Sequence, residues 1–269
     1  MAKESTTDIS FPPLESALDD PNGLLAMGGE LSRNRLIEAY SAGIFPWYDD
    51  DQPILWWSPN PRAVIEPDQV HISRSLKKNM RRCNYQLSVD KAFEQVIDAC
   101  AEARKVKADS EETDSDDEND NQGTWITTEM KDAYIDLHHA GYAHSFEVWD
   151  KGKLVGGLYG IAIDKVFSGE SMFHRQTDAS KIAFVFACKQ LQCWGFGLLD
   201  CQILNPHLQS LGVTELARED FKKWLPAYKK TQNANTAINN KDTFQPMDGN
   251  WSDTHWTDTQ TLLSDIYNA

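Results

Sequence analysis

Two short apolar runs between Val166 and Asn205 are broken by polar residues at positions where a buried strand should carry hydrocarbon. In Leu198-Leu199-Asp200-Cys201-Gln202-Ile203-Leu204 a strand period of two sets Asp200 and Gln202 on one face and Leu199, Cys201 and Ile203 on the other. That spacing separates the carboxylate and the amide by about 7 Å along the strand. Glu170 interrupts Phe167-Ser168-Gly169-Glu170-Ser171-Met172-Phe173 in the same way. A carboxylate buried without partners is costly, and perturbed acids in clefts gather at active sites. Asp200, Gln202 and Glu170 are therefore the candidate catalytic residues, able to share one pocket if their strands are neighbours. For Glu170 a purely structural, hydrogen-bonded role competes with that reading.

The elements around these runs predict an α+β fold. Ser145 to Trp149 and Leu154 to Ile163 flank Asp150-Lys151-Gly152-Lys153, a hairpin signal. A third strand is expected over 166–173, a mostly apolar helix over about 180–194, then the Asp200 strand, and then a helix at Phe221 that Pro226 shortens. Gly156, Gly157 and Gly160 inside the second strand imply a bulge or the close approach of another backbone or a ligand. Towards the N-terminus, Ser32 is the expected cap of a helix carrying Leu36, Ile37 and Tyr40, which Gly43 ends. Trp47, Trp56 and Trp57 fall within eleven residues; such indoles form core or a platform for a base, with Trp47, beside Pro46, the one expected at the surface. Phe93, Val96, Ile97 and Cys100 mark a further buried helix face, and Thr127 or Thr128 caps a helix bearing Met130, Tyr134 and Leu137. Three segments are expected: a small N-terminal domain over 1–70, a catalytic domain over 71–232 and a tail over 233–269. Within the second, residues 105–121 form a disordered acidic insertion.

Composition removes several function classes. No apolar run nears the ~20 residues of a membrane helix, and the first residues lack the apolar stretch of a secretory signal, so a cytoplasmic protein is expected. Five cysteines without a C-x-x-C pair and seven histidines without ligand spacing point to buried thiols and no metal site. The net charge of −15 opposes nucleic-acid binding until its distribution is considered: Asp109 to Asp120 holds eight acids, and without them the charge is −7. Arg74, Lys77, Lys78, Arg81 and Arg82 instead line one face of a helix, a basic stripe suited to phosphate or, failing that, a solvated face.

The element order from Ser145 resembles the GNAT-like (acyl-CoA N-acyltransferase-like) fold. The glycine-rich turn that would hold the pyrophosphate of coenzyme A at the helix N-terminus is missing, because His174 to Ser180 contains no glycine. More specifically, Pro21-Asn22-Gly23-Leu24-Leu25-Ala26, Gly43-Ile44-Phe45-Pro46-Trp47, Leu55-Trp56-Trp57-Ser58-Pro59, His71-Ile72-Ser73-Arg74-Ser75, Gly123-Thr124-Trp125-Ile126-Thr127, Gly169-Glu170-Ser171-Met172-Phe173 and Leu199-Asp200-Cys201-Gln202 closely resemble the bacterial leucyl/phenylalanyl-tRNA protein transferases. The resemblance covers Phe11 to Tyr228. It implies a small N-terminal α/β domain packed on a GNAT-like C-terminal domain. It also implies transfer of Leu or Phe, less readily Met, from aminoacyl-tRNA to proteins with N-terminal Arg or Lys, marking them for N-end rule degradation, with no cofactor and as a monomer. By motif, Asp200 and Gln202 become the catalytic pair and Glu170 a pocket acid. Trp47 and Trp125, with Tyr40, become neighbours of the 3′-terminal adenosine. Leu158, Phe167, Met172 and Phe184 become the apolar side-chain pocket, and Arg74, Lys78, Arg81 and Arg82 the acceptor-stem contacts.

An aminoacyl ester is already activated, so amide formation needs no ATP or metal. An α-ammonium near 7.7 to 8.0 loses its proton to an ordinary Asp at about 3.9 only at a cost of ~5.5 kcal/mol. Asp200 is therefore expected to orient Gln202, whose carbonyl oxygen holds the attacking amine, and the charges of Glu170 and Asp200 together are expected to favour a basic acceptor. An acyl-CoA-dependent N-acyltransferase and a non-catalytic tRNA adaptor are the competing classes.

Overall fold

The computed structural model describes residues 10–109 and 126–227; Trp125, the acidic tract and the tail lie outside the described residues. A three-stranded sheet is built from β1 (Leu24–Met27), β2 (Phe45–Pro46) and β3 (Leu55–Trp57), in the order β1-β3-β2. Helix α1 (Arg33–Ser41) lies between β1 and β2. Its expected cap is present, since Ser32 Oγ accepts from Arg35 N, and Gly43 beyond its end adopts φ +76°, a conformation glycine takes without penalty.

β4 (Arg62–Ile65) leaves this small sheet behind and joins a second one. It is followed by α2 (Arg74–Arg82), β5 (Gln86–Val89), α3 (Phe93–Asp109) and α4 (Thr128–His139), and then by the long meander β6 (Ala143–Asp150), β7 (Lys153–Ile163) and β8 (Val166–His174). Helix α5 (Ala179–Cys193) crosses over to β9 (Leu198–Gln202), and α6 (Pro206–Gln209), β10 (Thr214–Leu216) and α7 (Arg218–Phe221) close the described fold. The seven strands run β10-β4-β9-β8-β7-β6-β5. Meander, crossover helix and return strand appear as expected of a GNAT-like domain, with β8 and β9 parallel. The sequence did not reveal β10, nor that β4, inside the segment assigned to the N-terminal domain, belongs to the large sheet.

Each face of the sheet carries its own apolar layer. On one face Tyr134, Tyr159, Val96, Ile97 and Cys100 are fully buried with the small sheet and α1. On the other, α5 supplies Ile182, Phe184, Phe186 and Leu191 against Phe146, Leu158 and Phe167. The hairpin between β6 and β7 turns through Lys151 (φ +49°) and Gly152 (φ +77°), the paired positive dihedrals of a two-residue loop. The glycines of β7 serve both expected purposes. A Cβ on Gly156 would stand 2.6 Å from Ala179 Cβ, and one on Gly160 would stand 2.2 Å from Ser168 O. The register also jumps between Tyr159 and Gly160. Backbone, rather than ligand, fills the space.

Candidate active site

The jump beside Gly160 positions Glu170. Tyr159 pairs with Ser171 and Gly160 with Gly169, so Glu170 is the extra residue of a bulge, a device that re-aims a side chain. It points into the face that carries Tyr40 and Tyr134. Tyr134 Oη donates to Glu170 Oε2 at 2.9 Å. The two tyrosine hydroxyls are also in short contact, and Tyr40 too is hydrogen-bonded to the Glu170 carboxyl. Glu170 is 6% exposed, and burial pushes its carboxyl from the ordinary 4.5 up to about 7. The tyrosine and Gln202 hydrogen bonds hold it down, and the Asp200 charge adds to the rise.

β8 and β9 pair at Val166–Leu198, Phe167–Leu199 and Ser168–Asp200 and at no later position. Beyond that point the strands part, and the polar group sits at the fork. Asp200 is fully buried and accepts four hydrogen bonds. Arg62 grips both oxygens, Nε to Oδ1 at 2.7 Å and Nη2 to Oδ2 at 2.8 Å. The Gln202 backbone N–H adds one at 3.0 Å and Ser168 Oγ one at 3.3 Å. Gln202 takes a left-handed φ of +66°, which costs a residue with a side chain ~1–2 kcal/mol. Its Nε2 donates to Glu170 Oε1 at 2.8 Å. Its carbonyl oxygen has no partner among the described residues. The arrangement is a pinned amide with one free acceptor, aimed by two acids that the sequence had already singled out.

Two features were not legible in the sequence. Arg62 opens the apolar run Arg62-Ala63-Val64-Ile65; a charge leading a buried strand was its only signal. Because Arg62 neutralises Asp200, the expectation of two negative charges facing an acceptor is corrected to one, on Glu170. Tyr134 was assigned to a buried helix face, where a core tyrosine and a hydrogen-bonding one look alike.

The remaining candidates are distributed around this group. Trp47 is half-buried, its ring 5.6 Å from that of Trp57, whereas Trp56 is core. Tyr40 is 5% exposed and faces both Tyr134 and Glu170. A cavity of about 410 Å³ is lined by Tyr48, Asp50, Ile54, Thr127 and Glu129 among others. Leu158 and Phe167 are buried on the opposite face against Phe184 of α5, with Met172 half-buried beside them. α2 buries Leu76 and Met80 and exposes Arg74, Lys78, Arg81 and Arg82. It is tied to the turn before α5 by Asn79 Nδ2 donating to Asp178 at 2.9 Å. Among the described residues no group of acids, histidines and cysteines could hold a metal ion, and no helix is long and apolar enough to cross a membrane.

Comparison with known proteins gives the same outline. Residues 64–226 match the leucyl/phenylalanyl-tRNA protein transferase family and residues 29–60 the N-terminal domain of that family. The leucyl/phenylalanyl-tRNA protein transferase of Stutzerimonas stutzeri is 53% identical over 218 residues, 81% of this chain and 90% of its own. That of Methylococcus capsulatus is 50% identical over 222 residues, 82% and 88% of the two chains. Among solved structures, a GCN5-related N-acetyltransferase from Kribbella flavida overlaps 67% of this chain and 59% of its own at 16% identity and TM-score 0.33, a likeness that carries no argument beside the strand order itself. Family match and half-identical relatives agree with the motifs across the described fold: the chain belongs to the leucyl/phenylalanyl-tRNA protein transferases.

Proposed function

We propose that this enzyme moves Leu or Phe, and less readily Met, from aminoacyl-tRNA to the α-amine of proteins whose N-terminal residue is Arg or Lys, tagging them for degradation by the N-end rule. The observation that carries the proposal is Gln202, with its amide nitrogen held by Glu170, its backbone N–H held by Asp200 and its carbonyl oxygen free. That oxygen accepts a hydrogen bond from the attacking amine and aims its lone pair at the ester carbon. A C–N bond forms, the bond to the ribose oxygen breaks, and the proton lost by nitrogen ends on that oxygen. Positioning of this kind can supply up to ~7–11 kcal/mol.

Proton traffic falls to Glu170 rather than Asp200. Asp200 already accepts four hydrogen bonds. Glu170, at about 7, lies close to the 7.7–8.0 of an α-ammonium, and accepting its proton costs only ~1.4 kcal/mol. The ionised fraction of Glu170 is also the charge that favours a basic acceptor side chain. By family motif, Leu158, Phe167, Met172 and Phe184 are assigned to the donor side-chain pocket, where selection is coarse at ~1–3 kcal/mol per methylene. By the same motifs Trp47, Trp125 and Tyr40 are assigned to the adenosine, and the exposed face of α2 takes the acceptor stem.

Transfer of labelled leucine from Leu-tRNA to an Arg-initiated peptide tests the reading, with an Ala-initiated peptide and leucyl-CoA as controls. Label in the Arg peptide alone, from tRNA alone, is the expected result, and Gln202→Ala should reduce it by orders of magnitude. Equal labelling of both peptides, or an unaffected Gln202→Ala, overturns it.

A further inference from the structure

Arg62 is a buried, ion-paired charge that the mechanism above does not use. It lies on β4, in the segment before the large sheet is otherwise built, yet its guanidinium is 1% exposed and forks onto Asp200 with both bonds under 3 Å. The register of β4 against β9 jumps between Ala63 and Val64, leaving Cys201 as an extra residue between Asp200 and Gln202. That bulge lets Asp200 meet Arg62 while Gln202 turns towards Glu170. The cation is held between two rings, Phe45 of β2 at 4.8 Å and Phe221 of α7 at 4.9 Å. Side chains from three distant parts of the sequence thus fix one guanidinium. Its remaining nitrogen, Nη1, is buried without a hydrogen-bond partner among the described residues.

We infer that Arg62 is a positioning residue for the transfer reaction, clamping both oxygens of Asp200 so that Asp200 fixes the backbone of Gln202 and Gln202 presents its carbonyl oxygen. The inference rests on the proposed role of Gln202. Arg is required for its fork: a planar guanidinium satisfies both carboxylate oxygens at once, which an ammonium cannot. A lone carboxylate buried at that position would take up a proton instead. It would then no longer be a pure acceptor for the Gln202 N–H, and Glu170 would lose the negative neighbour that helps raise its pKa. The groups facing Glu170 are Tyr40 on α1, Tyr134 on α4, and Asp200 and Gln202 on β9; Arg62 reaches it only through β9.

The test is single-turnover transfer from Leu-tRNA to an Arg-initiated peptide, measured for the wild type, Arg62→Lys, Arg62→Met, Asp200→Asn and the Arg62→Met/Asp200→Asn double variant. Thermal melts accompany each. An inactive wild type would refute the functional reading itself, separately from the role of Arg62. With an active wild type, Arg62→Met should lower the rate at least 100-fold while KM for Leu-tRNA stays within threefold. The acid limb of its pH–rate profile should move to lower pH, as in Asp200→Asn. Arg62→Lys, which keeps the buried charge and the fold, should recover part of the loss. In the Asp200→Asn background Arg62→Met should cost less than a further threefold. Losses that multiply in the double variant would overturn the inference, because Arg62 would then act on substrate directly through Nη1. An Arg62→Lys variant as fast as the wild type would overturn it too.

Discussion

Replacing Glu170 by Gln should flatten the protein's loss of stability towards alkaline pH while abolishing most of its activity. Burial raises the Glu170 pKa from the ordinary 4.5 to about 7, so between those values the folded state holds a proton that the unfolded chain has released. The stability this carboxyl contributes is therefore fully present below about pH 4.5 and is lost as pH rises through 7. At about 1.4 kcal/mol per tenfold change, the loss between pH 5 and pH 8 is about 2.5 kcal/mol. The amide introduced by Glu170→Gln carries no such linkage. It brings its own penalty, because its NH₂ must face either Tyr134 Oη or Gln202 Nε2 where both now donate to a carboxylate, a mismatch worth ~1–3 kcal/mol. That penalty does not depend on pH and cancels when the comparison is made across pH. Thermal melts of both proteins at pH 5 and pH 8 are the assay. For a chain of this size ~2–4 °C accompanies each kcal/mol. The melting point of Glu170→Gln relative to wild type should thus rise by roughly 5–10 °C over that interval, with transfer reduced by orders of magnitude throughout. A relative melting point that stays flat with pH would refute the argument, since the carboxyl would then ionise in the fold as easily as in the unfolded chain.

Tyr134→Phe removes one of the two tyrosine hydroxyls that lower the Glu170 pKa; the acid limb of the pH–rate profile should move upward, opposite to Asp200→Asn, and stability should fall by ~1–3 kcal/mol. Reversing exposed Arg74 and Arg82 to Glu should weaken tRNA binding and flatten its dependence on salt, each lost phosphate contact removing roughly 0.7–0.9 from the log–log slope; unchanged binding would return the stripe to a solvated face. Gly160→Ala places a Cβ 2.2 Å from Ser168 O beside the Glu170 bulge, so its melts should show a loss of ~1–3 kcal/mol and its transfer rate should fall with the displaced bulge.

Much of this architecture is local chemistry that a sequence carries openly. Ser32, Ser73 and Thr127 accept from backbone N–H groups at the starts of α1, α2 and α4, because a short hydroxyl before an apolar period is a cap wherever it occurs. Lys151-Gly152 turns the hairpin for an equally local reason, and the polar breaks at Glu170, Asp200 and Gln202 stood out because each interrupts an otherwise apolar run. The family motifs named the chemistry.

Only the tertiary structure decided what those acids are. Asp200 and Glu170 look alike in sequence, yet one is clamped by a guanidinium 138 residues away, while the other is left to a pair of tyrosines and raised by burial to about 7. The bulges that aim them are register shifts between strands, a property of pairs that no single strand encodes. The physical reason is distance: a hydrophobic period is read over a few residues, while the field at a buried carboxylate is set by whichever charges the fold brings within a few ångströms of it.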